Sequence, residues 1–390
     1  MVDPTPDGRL VEVVERKGIG HPDTICDALA EEVSRALSRT YLERFGRVLH
    51  HNVDKALLCG GSAAPRFGGG EITRPIEIIL AGRVTRSFRG TDVPVEEVAI
   101  ETCRAWLRAH LHALDPDRHL RIACRFGPGS GDLVDLFARG ATPLANDTSI
   151  GVGFAPRSHI EQAVLDLGKW LDDRASQQSW PERGEDVKIM AVRTASAVTL
   201  TVTCALVSAF VKDAADYLAK KALLASAIGA RASGLLGEEP RVEINAADDP
   251  ARGSFYLTVT GTSAEAGDDG QVGRGNRVSG LITPGRPMTL EAAAGKNPVS
   301  HVGKLYSVAA GLIAEDLVGA LPGVSAAECT LVSRIGSPID EPQAVSVRLR
   351  IEDGAPAASH SSAVAEVTRG WLAGLPGLSA RLIAGDIAVF

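Results

Sequence analysis

Positive charge is in short supply. The 390 residues carry 41 Lys and Arg against 48 Asp and Glu, a formal net charge of −7 at pH 7, and a chain of that sign offers no general surface to polyanions. Nucleic acid is therefore not an expected partner, and any phosphate chemistry must come from a local cluster of cations. Paired cysteines are missing too: the six, Cys26, Cys59, Cys103, Cys124, Cys204 and Cys329, stand singly among apolar neighbours with no C-x-x-C spacing. That excludes a disulfide frame or a zinc ribbon and reads as buried thiols in a reducing compartment. No apolar run reaches the length of a membrane span, and the opening "MVDPTPDGRL" lacks the charged-then-apolar order of a secretory signal. The expected location is the cytoplasm, without a membrane partner.

What is present is a globular composition, 45% hydrophobic and 23% charged, with 41 glycines that suggest tight turns and close backbone approaches. "KGIGHPD", residues 17–23, stands before a four-residue period, Ile25, Leu29, Val33, Leu37 and Tyr41, that predicts a long helix. Asp23 is its expected N-cap and Gly46 its expected stop. Short apolar runs, "ALLCGG", "IEIILAGRV" and "LRIACRF", then predict strands around a helix from Val95 to about Ala113. The rhythm returns twice. "HIEQAVLDLGKWLDD" and Ala214 to Leu236 predict helices around the strands "VKIMAVR" and "AVTLTVTCALV". "VEINA", "SFYLTVTGT", "CTLVSRIG" and "AVSVRLRIE" predict strands around a helix from Val302 to Leu321, with a last helix near Ala363 to Leu372. Strand pairs separated by single helices imply an α/β fold of the α+β-like kind, with mixed sheets covered on one face. The division suggested is residues 1–140, 141–258 and 259–390.

Two glycine-rich segments interrupt this rhythm. "GGSAAPRFGGGE" predicts a mobile loop, either a plain linker or a lid. From Gly261 to Tyr306 the chain shows little apolar periodicity before Val302, but holds Arg274, Arg277, Arg286, Lys296, His301 and Lys304; so long an unpatterned stretch points to function. Neither common phosphate motif is present. "AAAGKNP" has Leu290 where a P-loop needs glycine and Asn297 where it needs Ser or Thr, and "GQVGRG" lacks the dinucleotide spacing. The pair Asp268-Asp269 next to Arg274 and Arg277 suits magnesium and a polyphosphate held together, against the ordinary alternative of a surface turn. "GEDVKIMAVR" places Asp186 and Lys188 on one strand face, a functional pair or a solvated edge. "ANDTSIGVGFAP" offers Asn146, Asp147, Thr148 and Ser149 to a purine or ribose, or forms an Asx-turn. "HHNVDKALLCGG" puts Asp54 and Lys55 at the mouth of a strand, and its two histidines point apart if extended, so no ligand role is assigned to them.

Together these segments, with "RIGSPIDEP", resemble the S-adenosylmethionine synthetase (methionine adenosyltransferase) family in its archaeal-type branch, over nearly the whole chain. The resemblance implies synthesis of S-adenosyl-L-methionine from ATP and L-methionine: the thioether sulfur attacks C5′ in line, and the triphosphate released is hydrolysed to phosphate and diphosphate. It implies catalytic roles for His21, whose imidazolium would donate to the departing oxygen, and for Lys188, Arg274 and Lys296. Asp23 and Asp268 would ligate magnesium, which potassium often accompanies in the family. Asp54, Lys55, Asp147, Thr148, Ser149, Asp186, Asp269, Asn276, Arg277 and Lys304 would bind substrate. Where bacterial members carry a methionine-binding glutamate, this chain has Ser62. The implied fold is three related domains about a pseudo-threefold axis, exchanging segments, in a homodimer packed sheet to sheet with active sites between subunits. A relative limited to polyphosphate hydrolysis or accepting a different thioether or nucleotide, and a non-catalytic paralogue that dimerises with a true synthetase, are the competing readings.

Overall fold

The computed structural model describes residues 9–131, 137, 142–195, 197–352 and 357–390. In chain order the first elements are β1 (Val11–Lys17), α1 (Pro22–Phe45), β2 (His51–Cys59), β3 (Ser62–Arg66), β4 (Gly69–Arg74), β5 (Ile76–Val84), β6 (Ser87–Phe88), β7 (Thr91–Asp92), α2 (Val95–His110) and β8 (Leu120–Gly127). There follow β9 (Ile150–Ala155), α3 (His159–Asp172), α4 (Arg174–Ser179), β10 (Arg183–Thr194), β11 (Ala197–Val207), α5 (Ala214–Leu236), β12 (Arg241–Ile244) and β13 (Leu257–Thr258). The last are β14 (Gly270–Gln271), α6 (Val302–Ala320), β15 (Val324–Val332), β16 (Ala344–Ile351), α7 (Ser361–Ala373) and α8 (Leu375–Ala384).

Three larger sheets result. One has the order β14-β2-β5-β8, another β1-β10-β11-β12 with β13 also on β11, and another β16-β15-β9. The first two mix parallel and antiparallel pairs, and the mixed α/β expectation holds. Burial alternates along the strands: on β5 Ile76, Ile78 and Leu80 are buried while Glu77 is exposed. The buried faces lie under α1 and α2, under α3 and α5, and under α6 with α7. Each side chain such as Leu29 or Ile78 that loses all contact with water contributes roughly 1.5–3 kcal/mol.

Two sheets join distant stretches of chain. β1 runs antiparallel to β10, from Val11 opposite Thr194 to Lys17 opposite Lys188, and β9 runs antiparallel to β15. All six cysteines are free, four of them buried. Among the described residues no helix is long and apolar enough to cross a membrane.

Two local expectations need correction. The N-cap of α1 is His21, not Asp23: Pro22 takes the first helical position, where its fixed φ and missing N–H cost nothing, and His21 Nδ1 accepts from Asp23 N at 3.2 Å. The segment from Gly60 to Glu71 is largely the β3–β4 hairpin and not an open loop. Its tip is fastened, with Gly68 N donating to Ser208 O and Val211 O and the Phe67 ring edge-on to Phe255.

The long unpatterned segment behaves as expected. Between β13 and α6 it forms only a 3₁₀ turn, Ser263–Ala266, and the two residues of β14, yet Asn276, Thr283, Arg286, Lys296 and Asn297 within it are buried. Beside a few buried apolar side chains, among them Val272, Leu281 and Ala293, hydrogen bonds hold it, and α1 supplies several. Asp23 Oδ1 accepts from Gln271 N, Asp27 Oδ1 from Gly273 N and Glu31 Oε2 from Gly295 N, while Ser34 Oγ donates to Lys296 O. These four residues, spaced by four, four and three, share one face of the helix, so α1 carries a polar stripe beside its apolar one.

Candidate active site

The Gly18–Asp23 turn is pressed onto β10. Gly18 N donates to Val187 O and Gly20 N to Glu185 O, and a Cβ at Gly20 would stand 2.5 Å from Asp186 N. A Cβ at Gly270 would stand 2.3 Å from Pro22 C, so only glycine lets β14 approach the start of α1. These two approaches bring His21, Asp23, Asp186, Lys188 and Asp268 together. His21 feels the charges of Lys17, Asp23, Asp268 and Lys188, and burial, then Lys17, lowers its pKa to about 4. The imidazole is neutral at pH 7 with Nδ1 as acceptor, so the proton sits on Nε2. In the ligand-free chain, burial beside an ammonium disfavours a second positive charge; the imidazolium expected from sequence belongs to the nucleotide-bound site.

Asp186 Oδ2 accepts from Ser263 N and Oγ, at 2.8 and 2.6 Å, and Ser263 Oγ also reaches Asp268 Oδ2 at 2.9 Å. Burial raises the Asp186 pKa to about 6 in spite of these bonds. Asp269 Oδ1 accepts from Gly60 N. Lys17 and Lys188 stand directly opposite across β1 and β10, a like-charge pair that costs stability unless an anion lies between or beside it. Glu15 Oε1 lies 3.8 Å from one ammonium and 3.5 Å from the other. Arg274 is exposed on the neighbouring turn, whose carbonyl oxygen accepts from Lys17 Nζ at 2.8 Å.

A second group forms where β2 meets the segment before α6. Lys296 Nζ is 2.9 Å from Asp54 Oδ2 and 2.8 Å from Glu291 Oε1. Burial pulls Lys296 down, but the two carboxylates outweigh it and its pKa ends above the ordinary lysine value. Burial likewise pushes Asp54 up, and Lys296 and Lys55 more than reverse this, leaving it well below the usual carboxylate range. Glu291 Oε2 accepts from Ser149 Oγ. Asp147 and Thr148 are exposed beside Ser149, and Lys55 is paired to Asp54 with its stem in solvent.

The expected residues thus fall into two groups. Glu31, which touches the second group through Gly295 N, lies eight residues along α1 from Asp23, about 12 Å at 1.5 Å per residue. Three expected residues are committed elsewhere. Asn276 spends both ends of its amide on the main chain of Lys17, at 2.9 and 2.8 Å. Lys304 is fully buried and bound by both oxygens of Glu31. Arg277 donates to Gly273 O and Gly275 O and helps line a half-open cavity of 170 Å³ with Asp27, Glu291 and Phe154. That volume is below the roughly 300 Å³ at which pockets for drug-sized ligands begin.

Sequence reasoning missed Lys17, Asp27, Glu31, Ser263 and Glu291. The spacing of Asp23, Asp27 and Glu31 was a readable signal, and Lys17 ends an alternating strand in a motif already singled out. Among the described residues no three His, Cys, Asp or Glu converge as a metal cage. Magnesium usually takes one or two carboxylates and completes its shell with phosphates and water, and the hard oxygens of Asp23 and Asp268 fit that mode.

The chain matches the S-adenosylmethionine synthetase (AdoMet synthetase) family over residues 3–386. It belongs to the S-adenosylmethionine synthetase family. It is 56% identical over 343 residues to a probable S-adenosylmethionine synthase of Aquifex aeolicus, covering 87% of this chain and 86% of that one. It is 50% identical over 387 residues to the S-adenosylmethionine synthase of Aeropyrum pernix, covering 97% and 95%. Archaeal members of the family, and a bacterial one resembling them, are thus among its relatives. An unusual S-adenosylmethionine synthetase from Campylobacter jejuni shares the fold at a TM-score of 0.62 and 16% identity, over 93% of this chain and 88% of that one.

Proposed function

We propose that the chain makes S-adenosyl-L-methionine from ATP and L-methionine. The observation that carries the reading is the pair of ammonium groups, Lys17 and Lys188, opposed across a sheet and both acting on His21, in a chain of this family. A lone pair of the methionine sulfur forms the new bond to C5′ as the C5′–O bond breaks, and the electron pair leaves with the triphosphate. A thioether is neutral and modestly nucleophilic, so rate comes from alignment and from stabilising the leaving oxygen. The His21 ring donates from Nε2 to that oxygen. Lys188 lies along the triphosphate, and Arg274 and Lys296 hold it for hydrolysis to phosphate and diphosphate. Asp186 and Asp269 sit beside the nucleotide, and Asp54, Lys55, Asp147, Thr148 and Ser149 bind at the second group. Asp23 and Asp268 would hold magnesium, which when bound neutralises phosphate charge.

The two groups are read as halves of two active sites, each completed by a second copy of the chain in a cytoplasmic homodimer of three-domain subunits. The test incubates purified protein with magnesium, ATP and methionine and follows sulfonium and phosphate products. Sulfonium formation with phosphate and diphosphate is expected. Phosphate from supplied tripolyphosphate without any sulfonium would sink the synthetase reading in favour of a polyphosphatase, and absence of all product would favour a paralogue.

A further inference from the structure

The Lys17 ammonium stands at the middle of the first group. Nζ is 2.9 Å from Asp23 Oδ2, 2.8 Å from Arg274 O and 3.8 Å from Glu15 Oε1, with Lys17 and Asp23 side chains 11% and 7% exposed. Its surroundings differ from those of the other lysine buried against α1. Lys304 is sealed, bound by both oxygens of one carboxylate and shielded from water. Lys17 instead has acceptors on three sides and a second ammonium, Lys188, directly across the sheet. Asp23 does not depend on Lys17 alone, because Gln271 N also binds it. Nor does β1 depend on the ammonium, because Asn276 clamps the Lys17 main chain at both N and O. The side chain can therefore move while its backbone stays.

We propose that Lys17 is a further binding residue of this site: its ammonium is the resident counter-ion of Asp23, yields that carboxylate to an arriving divalent cation, and then serves the phosphate oxygens of the nucleotide. The proposal rests on the reading of Asp23 as a metal ligand. An ammonium and a divalent ion on one carboxylate repel each other strongly at this burial, so the two alternate. Metal alone must displace Lys17 and binds weakly. Metal with a polyphosphate gives the displaced ammonium a new partner, so the two ligands bind cooperatively.

The test uses the whole chain and Mn²⁺ as probe, with free Mn²⁺ read by electron paramagnetic resonance, with and without inorganic tripolyphosphate. Lys17→Met keeps most of the unbranched side chain and, being a side-chain change, the Asn276 clamp on the main chain, and Lys17→Gln gives a second variant if the first melts too low to assay. Both variants are expected to bind Mn²⁺ alone at least about tenfold more tightly than the parent, the scale of one lost charge repulsion. They are also expected to bind tripolyphosphate with Mn²⁺ more weakly. Unchanged or weaker Mn²⁺ binding in both, while Asp23→Asn abolishes it, overturns the counter-ion role and leaves Asp23 a ligand. Unchanged Mn²⁺ binding in Asp23→Asn overturns the ligand reading and this proposal with it. Tighter Mn²⁺ with unaltered tripolyphosphate affinity overturns the second half of the proposal.

Discussion

His21 is held by its main chain and by its ring at once: it ends the turn on β10 and caps α1 through Nδ1. That leaves one proton, on Nε2, for chemistry. Replacement by asparagine keeps a capping side chain but moves the donor, so His21→Asn is expected to slow sulfonium formation by on the order of 100-fold. Hydrolysis of supplied tripolyphosphate should change far less. Single-turnover measurement of both steps decides it, and equal losses would contradict the role. Gly20 tests the turn itself. The methyl of Gly20→Ala would meet Asp186 N and Glu185 C, both at 2.5 Å, and since Asp186 N is itself held by Gly261 O the turn must yield. A loss of about 1–3 kcal/mol in urea unfolding is expected, together with loss of both activities, because His21 and Asp186 would be driven apart.

At the scale of the element, α1 does most of the organising. Its Glu31–Lys304 pair is fully enclosed, so Glu31→Gln leaves an uncompensated ammonium and should cost about 3–5 kcal/mol, whereas Glu31→Gln with Lys304→Met, which keeps an acceptor for Gly295 N, should recover most of it. Urea midpoints of the three proteins test this, and a double variant no more stable than Glu31→Gln would refute it. The apolar stripe of α1 was legible because Ile25 through Tyr41 repeat with the period of the helix. The polar stripe was not read, because Asp27 and Glu31 find their partners at Gly273 and Gly295, far outside any local window. β1 and β9 were missed for the same reason: their pairing strands, β10 and β15, lie more than a hundred residues away. The cap was misjudged because Asp is a preferred cap residue, and Pro22 at the first helical position outweighed that preference. The β3–β4 hairpin was hidden by its glycines, and its tip is held by partners far along the chain, Ser208 and Val211 for Gly68 N and Phe255 for Phe67. Lys304 and Asn276 look like ligand residues by type and neighbourhood, and only their partners reveal that they are occupied.

At the scale of the molecule, the layer of α1 and α2 meets the sheet of β10 through His112, just beyond α2. Its Nδ1 lies 2.7 Å from Glu185 Oε1 and its Nε2 3.0 Å from Pro181 O, so both ring nitrogens have acceptors and the protonated form is the one fully satisfied. Burial lowers the His112 pKa, and Glu185 with Pro181 more than restores it, to above the ordinary histidine value. A histidine raised in the folded state stabilises fully below its unfolded pKa, about 6.5, and loses that contribution as pH rises through the folded one. The melting temperature of the parent should therefore exceed that of His112→Gln by more at pH 6 than at pH 9; a constant difference would mean that the junction does not titrate. The stapling of β1 and α1 to the last third of the chain also sets a timetable for synthesis. Lys17 and its clamp Asn276 are 259 residues apart, which a ribosome adding 5–20 residues per second separates by roughly 13–50 s. Until Lys188 emerges to face Lys17 both edges of β1 are open to whatever strand they meet, and one edge stays open until Asn276 arrives, so the waiting β1 is a step exposed to mispairing during synthesis.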